Sequence, residues 1–292
     1  MAPAFEQVRV EVDDFLSALL AVPPDPRAKL YEAMRYAAIG GGKRLRPLLV
    51  AAAAGLFHTS RERAVRVGAA VECIHVYSLI HDDLPAMDDD DLRRGKPTLH
   101  KAYGEATAIL AGDALHALAF EILADESTDE DPFVRAELIA ELARAAGPAG
   151  MAGGQMMDLG AGEETLDLAA VTRLQQLKTG ALIAFCLEAG AIMGRVPPDR
   201  RLKLRGYARD VGLAFQIADD LLDEEGLEEK TGKKVGKDRA RGKETFVTLL
   251  GRERARQQAE LLVGQAVDFL KIYGSEADLL RAIARFAVER DH

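Results

Sequence analysis

The run His81-Asp82-Asp83-Leu84-Pro85-Ala86-Met87-Asp88-Asp89-Asp90-Asp91-Leu92-Arg93-Arg94-Gly95 concentrates six aspartates and closes on two arginines. Two unit charges ~4 Å apart interact by ~4 kcal/mol at an effective dielectric near 20. Carboxylates this dense must be solvated, protonated or holding cations. Their oxygens are hard ligands suited to Mg²⁺, which usually takes one or two carboxylates and completes its shell with phosphate oxygens. Arg93 and Arg94 suit the same phosphate, because guanidinium forks match phosphate geometry. Alone, the run also fits a solvated acidic loop. A second cluster argues against that: Gln216-Ile217-Ala218-Asp219-Asp220-Leu221-Leu222-Asp223. Asp219 and Asp223 share a helix face among apolar neighbours. The two clusters are expected to face each other across a cleft holding Mg²⁺ and diphosphate.

Basic residues supply the other half of such a site. Gly41-Gly42-Lys43-Arg44-Leu45-Arg46-Pro47 combines glycines, which let backbone approach a ligand, with Lys43 and Arg46, which reach phosphate. It is not a Walker A loop: Ala37 replaces the first glycine and Arg44 the Ser/Thr. His75 lies about two helical turns before Asp82 and so on roughly the same face. Lys178-Thr179, Lys233 and Lys243 add positive charge.

The helices that must position these groups follow from apolar spacing. Phe5 to Leu20 reads as a first amphipathic helix, ended by Pro23-Pro24. Helices are expected over 27–39, from Pro47 to Phe57, and over 61–81, the last leading into the acidic run. Further helices are expected over 102–123, 132–157, 166–193, 199–222, 252–272 and 276–289, with a Gly/Lys-rich loop over 225–242. No β-alternating stretch, repeat or linker is evident. The reading is all-α: one domain, 1–292, a helical bundle around a central cavity, its small residues letting helices pack closely.

Composition narrows the function. The chain has 292 residues, 48% of them hydrophobic, and a net charge of −9. That charge argues against a nucleic-acid binder. Cys73 and Cys186 lie in apolar helical patterns and are expected to be buried thiols, consistent with a reducing cytoplasm. No apolar run is read as a transmembrane span.

Taken together, these segments resemble the short-chain trans-prenyltransferases, the farnesyl and geranylgeranyl diphosphate synthases, over nearly the whole chain. Asp82-Asp83-xxxx-Asp88 and Asp219-Asp220-xx-Asp223 look like the family's two aspartate-rich motifs. The Gly41–Pro47 segment, Leu110-Ala111-Gly112-Asp113-Ala114-Leu115, Gly153-Gly154-Gln155, Lys178-Thr179-Gly180-Ala181-Leu182 and Phe215-Gln216 are similar to further signatures, in order. The resemblance implies an isoprenoid-synthase-like fold, a homodimer and three Mg²⁺ ions held by Asp82, Asp88 and Asp219. Asp83, Asp220 and Asp223 would support those ions from a second layer. Arg93, Lys178, Lys233 and Lys243 would hold the allylic diphosphate, with Thr179 and Gln216 aiming oxygen dipoles at the developing carbocation. Lys234 and Lys237 are alternatives to Lys233. Lys43, Arg46, His75 and Arg94 would hold isopentenyl diphosphate.

Product length depends on what lies below Asp82. Tyr77 and Ser78, five and four residues earlier, fall about one turn below the carboxylates. Tyr77 is the bulky floor, Ser78 leaves room, and Ile74 is the next block. A C15 product is expected, with C20 the alternative. A terpene cyclase would lack the second diphosphate site. A metal phosphohydrolase gives Arg93, Arg94 and the second Asp cluster no task. An inert partner subunit would be expected to have lost an aspartate motif.

Overall fold

The computed structural model describes residues 1–161, 165–224 and 243–289. It is built of helices. α1 (Ala2–Leu19) buries Val8, Val12 and Leu16, four residues apart. α2 (Ala28–Ala38) stops where Ile39 turns extended and Gly40 takes φ +73°. α3 (Leu45–Leu56) is buried on most of its surface. α4 (Arg61–Asp82) starts at Ser60, whose side chain accepts from the Arg63 amide, and runs through the middle of the bundle. Close packing is bought with small residues. A Cβ at Gly68 on α4 would lie 3.1 Å from Pro47 on α3, and one at Gly190 would lie 2.5 Å from Ala53.

The acidic run is a compact loop. The Asp88 amide donates to the Asp82 carbonyl at 2.8 Å, folding the loop back onto the end of α4. The only strands among the described residues follow: β1 (Leu92–Arg93) and β2 (Lys96–Pro97), paired antiparallel with Arg93 opposite Lys96. Arg94 and Gly95 connect them with φ +53° and +75°, the paired left-handed residues of a type I′ turn. The Tyr36 hydroxyl donates to the Pro97 carbonyl at 2.9 Å and ties this hairpin to α2. Two-residue strands are too short to show alternation, so sequence reading misses them.

Three predicted helices are each divided. Gly104, at φ +88°, separates α5 (Leu99–Tyr103) from α6 (Glu105–Ala124). Gly147–Gly150 separates α7 (Pro132–Ala146) from α8 (Met151–Gly160). A π-helical turn, Gln176–Gly180, joins α9 (Leu168–Gln175) to α10 (Ala181–Met193). α11 (Leu202–Glu224) carries the second aspartate cluster. The short α12 (Phe246–Leu250), unforeseen in sequence, is fixed by a Thr245/Thr248 capping box. α13 (Arg252–Phe269) and α14 (Asp278–Glu289) close the fold.

α4 packs on α3, α6 and α1, while α10 bridges α3, α7 and α11. Their inward faces share one hydrophobic cluster, which includes Cys73 and Cys186 as buried free thiols. Contrary to the sequence reading, two stretches are long and apolar enough to cross a membrane by length and composition, Glu105–Ala124 and Leu168–Met193. In the second, 61% of the apolar window is buried inside the bundle, as in a core helix.

Candidate active site

The two aspartate segments behave differently on their two sides. Asp82, the last residue of α4, is pushed up to about 6. Burial is the main cause and Asp88 and Asp83 add to it, while Lys178 and Arg93 oppose. This is a carboxylate short of positive charge. Asp83 turns the other way: it is buried and accepts from Arg93 Nε at 2.9 and 2.8 Å and from Nη2 at 2.6 Å. Burial works against the Arg93 charge, but Asp83 outweighs it and the guanidinium pKa is raised. Arg93 is therefore already seated on Asp83.

On α11, Asp219 is exposed and its charge reaches Arg46 across the cleft. Asp220 Oδ2 accepts from the Phe246 amide at 2.9 Å, so it caps the start of α12. Asp223 and Gln216 are half-buried on the same helix.

Arg46, on the first turn of α3, has its Nε buried with no hydrogen-bond partner, and burial lowers its pKa. His75 sits among arginines. Burial, then Arg46, Arg94, Arg93 and Arg44, hold it well below the usual imidazole value. It is neutral at pH 7 and offers one donor and one acceptor. Lys178, on the π-helical turn, and Lys243 both donate to Asp158 Oδ2, at 2.9 and 2.6 Å. Lys43 stands apart: it is exposed, with Nζ 5.6 Å from the centre of the Phe286 ring. Lys233, Lys234 and Lys237 lie outside the described residues.

Two cavities flank α4. One, of about 360 Å³, is lined by Arg46, His75, Tyr77, Ser78, Asp82, Gln155, Lys178 and Thr179 among others. The other, of about 180 Å³, lies by Gly41, Gly42, Ile80, Asp83, Arg93 and Arg94. Gly41 and Gly42 were expected to let backbone approach a ligand. What they clear space for here is Arg94: a Cβ on Gly42 would lie 2.6 Å from its Nη2.

Below Asp82, the Tyr77 ring packs edge-on against His81 at 5.7 Å and His116 at 4.9 Å, and His116 packs on Phe120 at 5.3 Å. Tyr77 thus stands in the cleft with a braced back. Ser78 Oγ donates to the His75 carbonyl at 2.8 Å. Ile74 is fully buried in the core, behind the cleft wall.

Sequence reading missed Arg44 and Asp158. Arg44, in the left-handed region at φ +52°, is fully buried and binds Glu72 at 2.8 Å, Asp13 at 2.5 Å and the Ala38 carbonyl. It holds the Gly41–Pro47 segment in place. Asp158 could have been noticed as a lone carboxylate in the apolar stretch Met151–Gly160, one turn after Gln155.

Among the described residues, no three His, Cys, Asp or Glu side chains converge as a ready-made metal site. The donor chemistry nonetheless fits Mg²⁺ bound jointly by protein and phosphate. Asp82 and Asp88 are hard ligands brought together by the folded-back loop, and burial leaves Asp82 short of a counter-charge.

Comparison with known proteins agrees with this geometry. The polyprenyl synthetase family model matches residues 27–276. The farnesyl diphosphate synthase of Escherichia coli (strain K12) is 46% identical over 289 residues, 96% of each chain. The geranylgeranyl diphosphate synthase of Cyanophora paradoxa is 40% identical over 96% of this chain and 93% of its own. The apo structure of a FPP/GFPP synthase from Zymomonas mobilis superposes with a TM-score of 0.90 at 60% identity, covering 97% of both chains.

Proposed function

The chain belongs to the polyprenyl synthetase family, and from that premise we propose that it condenses isopentenyl diphosphate head-to-tail with dimethylallyl or geranyl diphosphate to make farnesyl diphosphate. One observation carries the reading. Asp82, Lys178 and Thr179 share a cleft with Arg46 and His75, and Tyr77 stands a helical turn below the carboxylate.

Asp82, Asp88 and Asp219 would hold three Mg²⁺ ions, whose positive charge supports the diphosphate as it leaves. Lys178, Lys243 and Arg93 add protein charge to the same leaving group. Fixed cations aimed at developing charge are the largest kind of catalytic contribution. Thr179 and Gln216 face the allylic carbon with oxygen dipoles. Arg46, neutral His75, Arg94 and Lys43 would hold isopentenyl diphosphate so that its double bond attacks the allylic cation. The proton then lost goes to the released diphosphate.

Tyr77 limits the chain to C15. A longer product is the second reading, favoured by the names of the Cyanophora and Zymomonas relatives. Ile109 and Leu110 on the outer face of α6 are 44% and 58% exposed, which supports a homodimer through that face. The dimer works as a soluble cytoplasmic enzyme.

The test is product chromatography. Purified protein is incubated with isopentenyl diphosphate, Mg²⁺ and the C5 or C10 allylic diphosphate, and the products are dephosphorylated and sized. A dominant C15 alcohol is expected. A dominant C20 or longer alcohol moves the floor beyond Tyr77, and no elongation from either starter refutes the enzyme.

A further inference from the structure

We propose that Asp158 is a positioning residue that gathers Lys178 and Lys243 onto the leaving diphosphate. The inference rests on the prenyltransferase reading above and gives a role to Asp158, three residues after the Gly153-Gly154-Gln155 signature.

Three separate elements meet at one oxygen. Asp158 lies in the last turn of α8, Lys178 in the π-helical turn and Lys243 ahead of α12. Asp158 Oδ2 accepts from both ammonium groups, and its side chain and that of Lys243 are only 14% and 13% exposed. Two ammonium ions this close repel each other, and the shared carboxylate holds them together. The approach is prepared in the backbone. Gly154, one turn before Asp158, meets the Lys178 amide so closely that a Cβ would lie 2.2 Å from its nitrogen. Lys178 in turn acts electrostatically on Asp82, so the gathered pair stands beside the first aspartate cluster. Each ammonium carries three donors and keeps N–H groups for phosphate oxygens while bound to Asp158.

The charge count separates positioning from simple binding. Removing the carboxylate leaves the site more positive by one charge, which does not weaken its attraction for a diphosphate. What is lost is placement. Placement matters most where charge develops, in the transition state, so the effect falls on kcat and not on KM.

The experiment compares wild type with Asp158→Asn and Asp158→Glu in the full chain. Steady-state and single-turnover rates are measured with the allylic diphosphate, isopentenyl diphosphate and Mg²⁺. In Asp158→Asn the single-turnover rate is expected to fall at least about tenfold, with neither KM raised. Asp158→Glu should recover part of the rate. In a Lys243→Met background the further effect of Asp158→Asn should shrink, because one lysine needs no gathering. A rate within about threefold of wild type overturns the proposal. So does a rise in KM for both substrates, or full additivity with Lys243→Met. Should Asp158→Asn not fold, Asp158→Glu decides alone: a wild-type single-turnover rate, or a raised KM for both substrates, overturns the proposal, and a slower rate at unchanged KM supports it. A wild-type protein that makes no prenyl diphosphate refutes the prenyltransferase reading itself, which the variants alone do not.

Discussion

Replacing Asp82 by Asn should stabilise the metal-free protein while abolishing most of its activity. The fold moves this carboxyl from its ordinary 3.8 to about 6. At 1.36 kcal/mol per pKa unit that is about 3 kcal/mol of disfavoured ionisation, which partial solvent access reduces to about 2 kcal/mol. The sign follows from proton binding. The folded state holds the Asp82 proton more tightly than the unfolded chain, so wild-type stability falls as pH rises from about 4 to about 6 and stays lowered at pH 7. Asn has no charge to ionise and escapes this loss. Thermal unfolding in chelator should therefore show Asp82→Asn melting about 4 °C higher at pH 7, at roughly 2 °C per kcal/mol for a chain of this size. The gap should halve near pH 5 and close near pH 4. Added Mg²⁺ with a diphosphate should raise the wild-type melting temperature more than the variant's, and turnover of the variant should drop by at least ~10²-fold. An Asn variant no more stable than wild type at pH 7, or a gap indifferent to pH, would refute the idea that this site is under electrostatic tension until it binds a cation.

Tyr77→Ala should shift the main product to C20 or longer, read by chromatography of the dephosphorylated alcohols; an unchanged length removes Tyr77 as the floor. Arg44→Met should cost about 3–5 kcal/mol in chemical denaturation, because it leaves Glu72 a buried charge without its ion-pair partner and leaves Asp13 with the weaker contact to Arg9 at 3.6 Å. A loss under about 1 kcal/mol would show that the triad is not structural. Gly154→Ala should destabilise by about 1–3 kcal/mol and slow turnover, since its Cβ meets backbone at 2.2 Å and not a side chain that can swing aside. Wild-type melting and rate in that variant would show that α8 and the π-helical turn can separate freely.

Much of this protein was readable along the chain. Apolar spacing located most of the helices, and the aspartate, glycine and lysine motifs named the chemistry. These signals are local: helical pitch alone puts Asp219 and Asp223 on one face, and Tyr77 one turn below Asp82. Helix breaks were less visible. The glycine at 104 and the Gly147–Gly150 turn interrupt patterns that stay apolar on both sides, so periodicity runs straight through them. The π-helical turn that presents Lys178 and Thr179 leaves the same apolar pattern.

What only the tertiary structure decided is which charges pair. Asp83 holds Arg93, Arg44 binds Glu72 and Asp13, and Asp158 collects lysines 20 and 85 residues away. The sequence determined that carboxylates, cations and the Tyr77 ring lie at helical intervals, because covalent geometry sets those intervals. It could not assign the pairs, because a pair between distant segments depends on how helices close-pack, and that packing turns on contacts such as Gly154 against Lys178 and Gly190 against Ala53 that have no period along the chain.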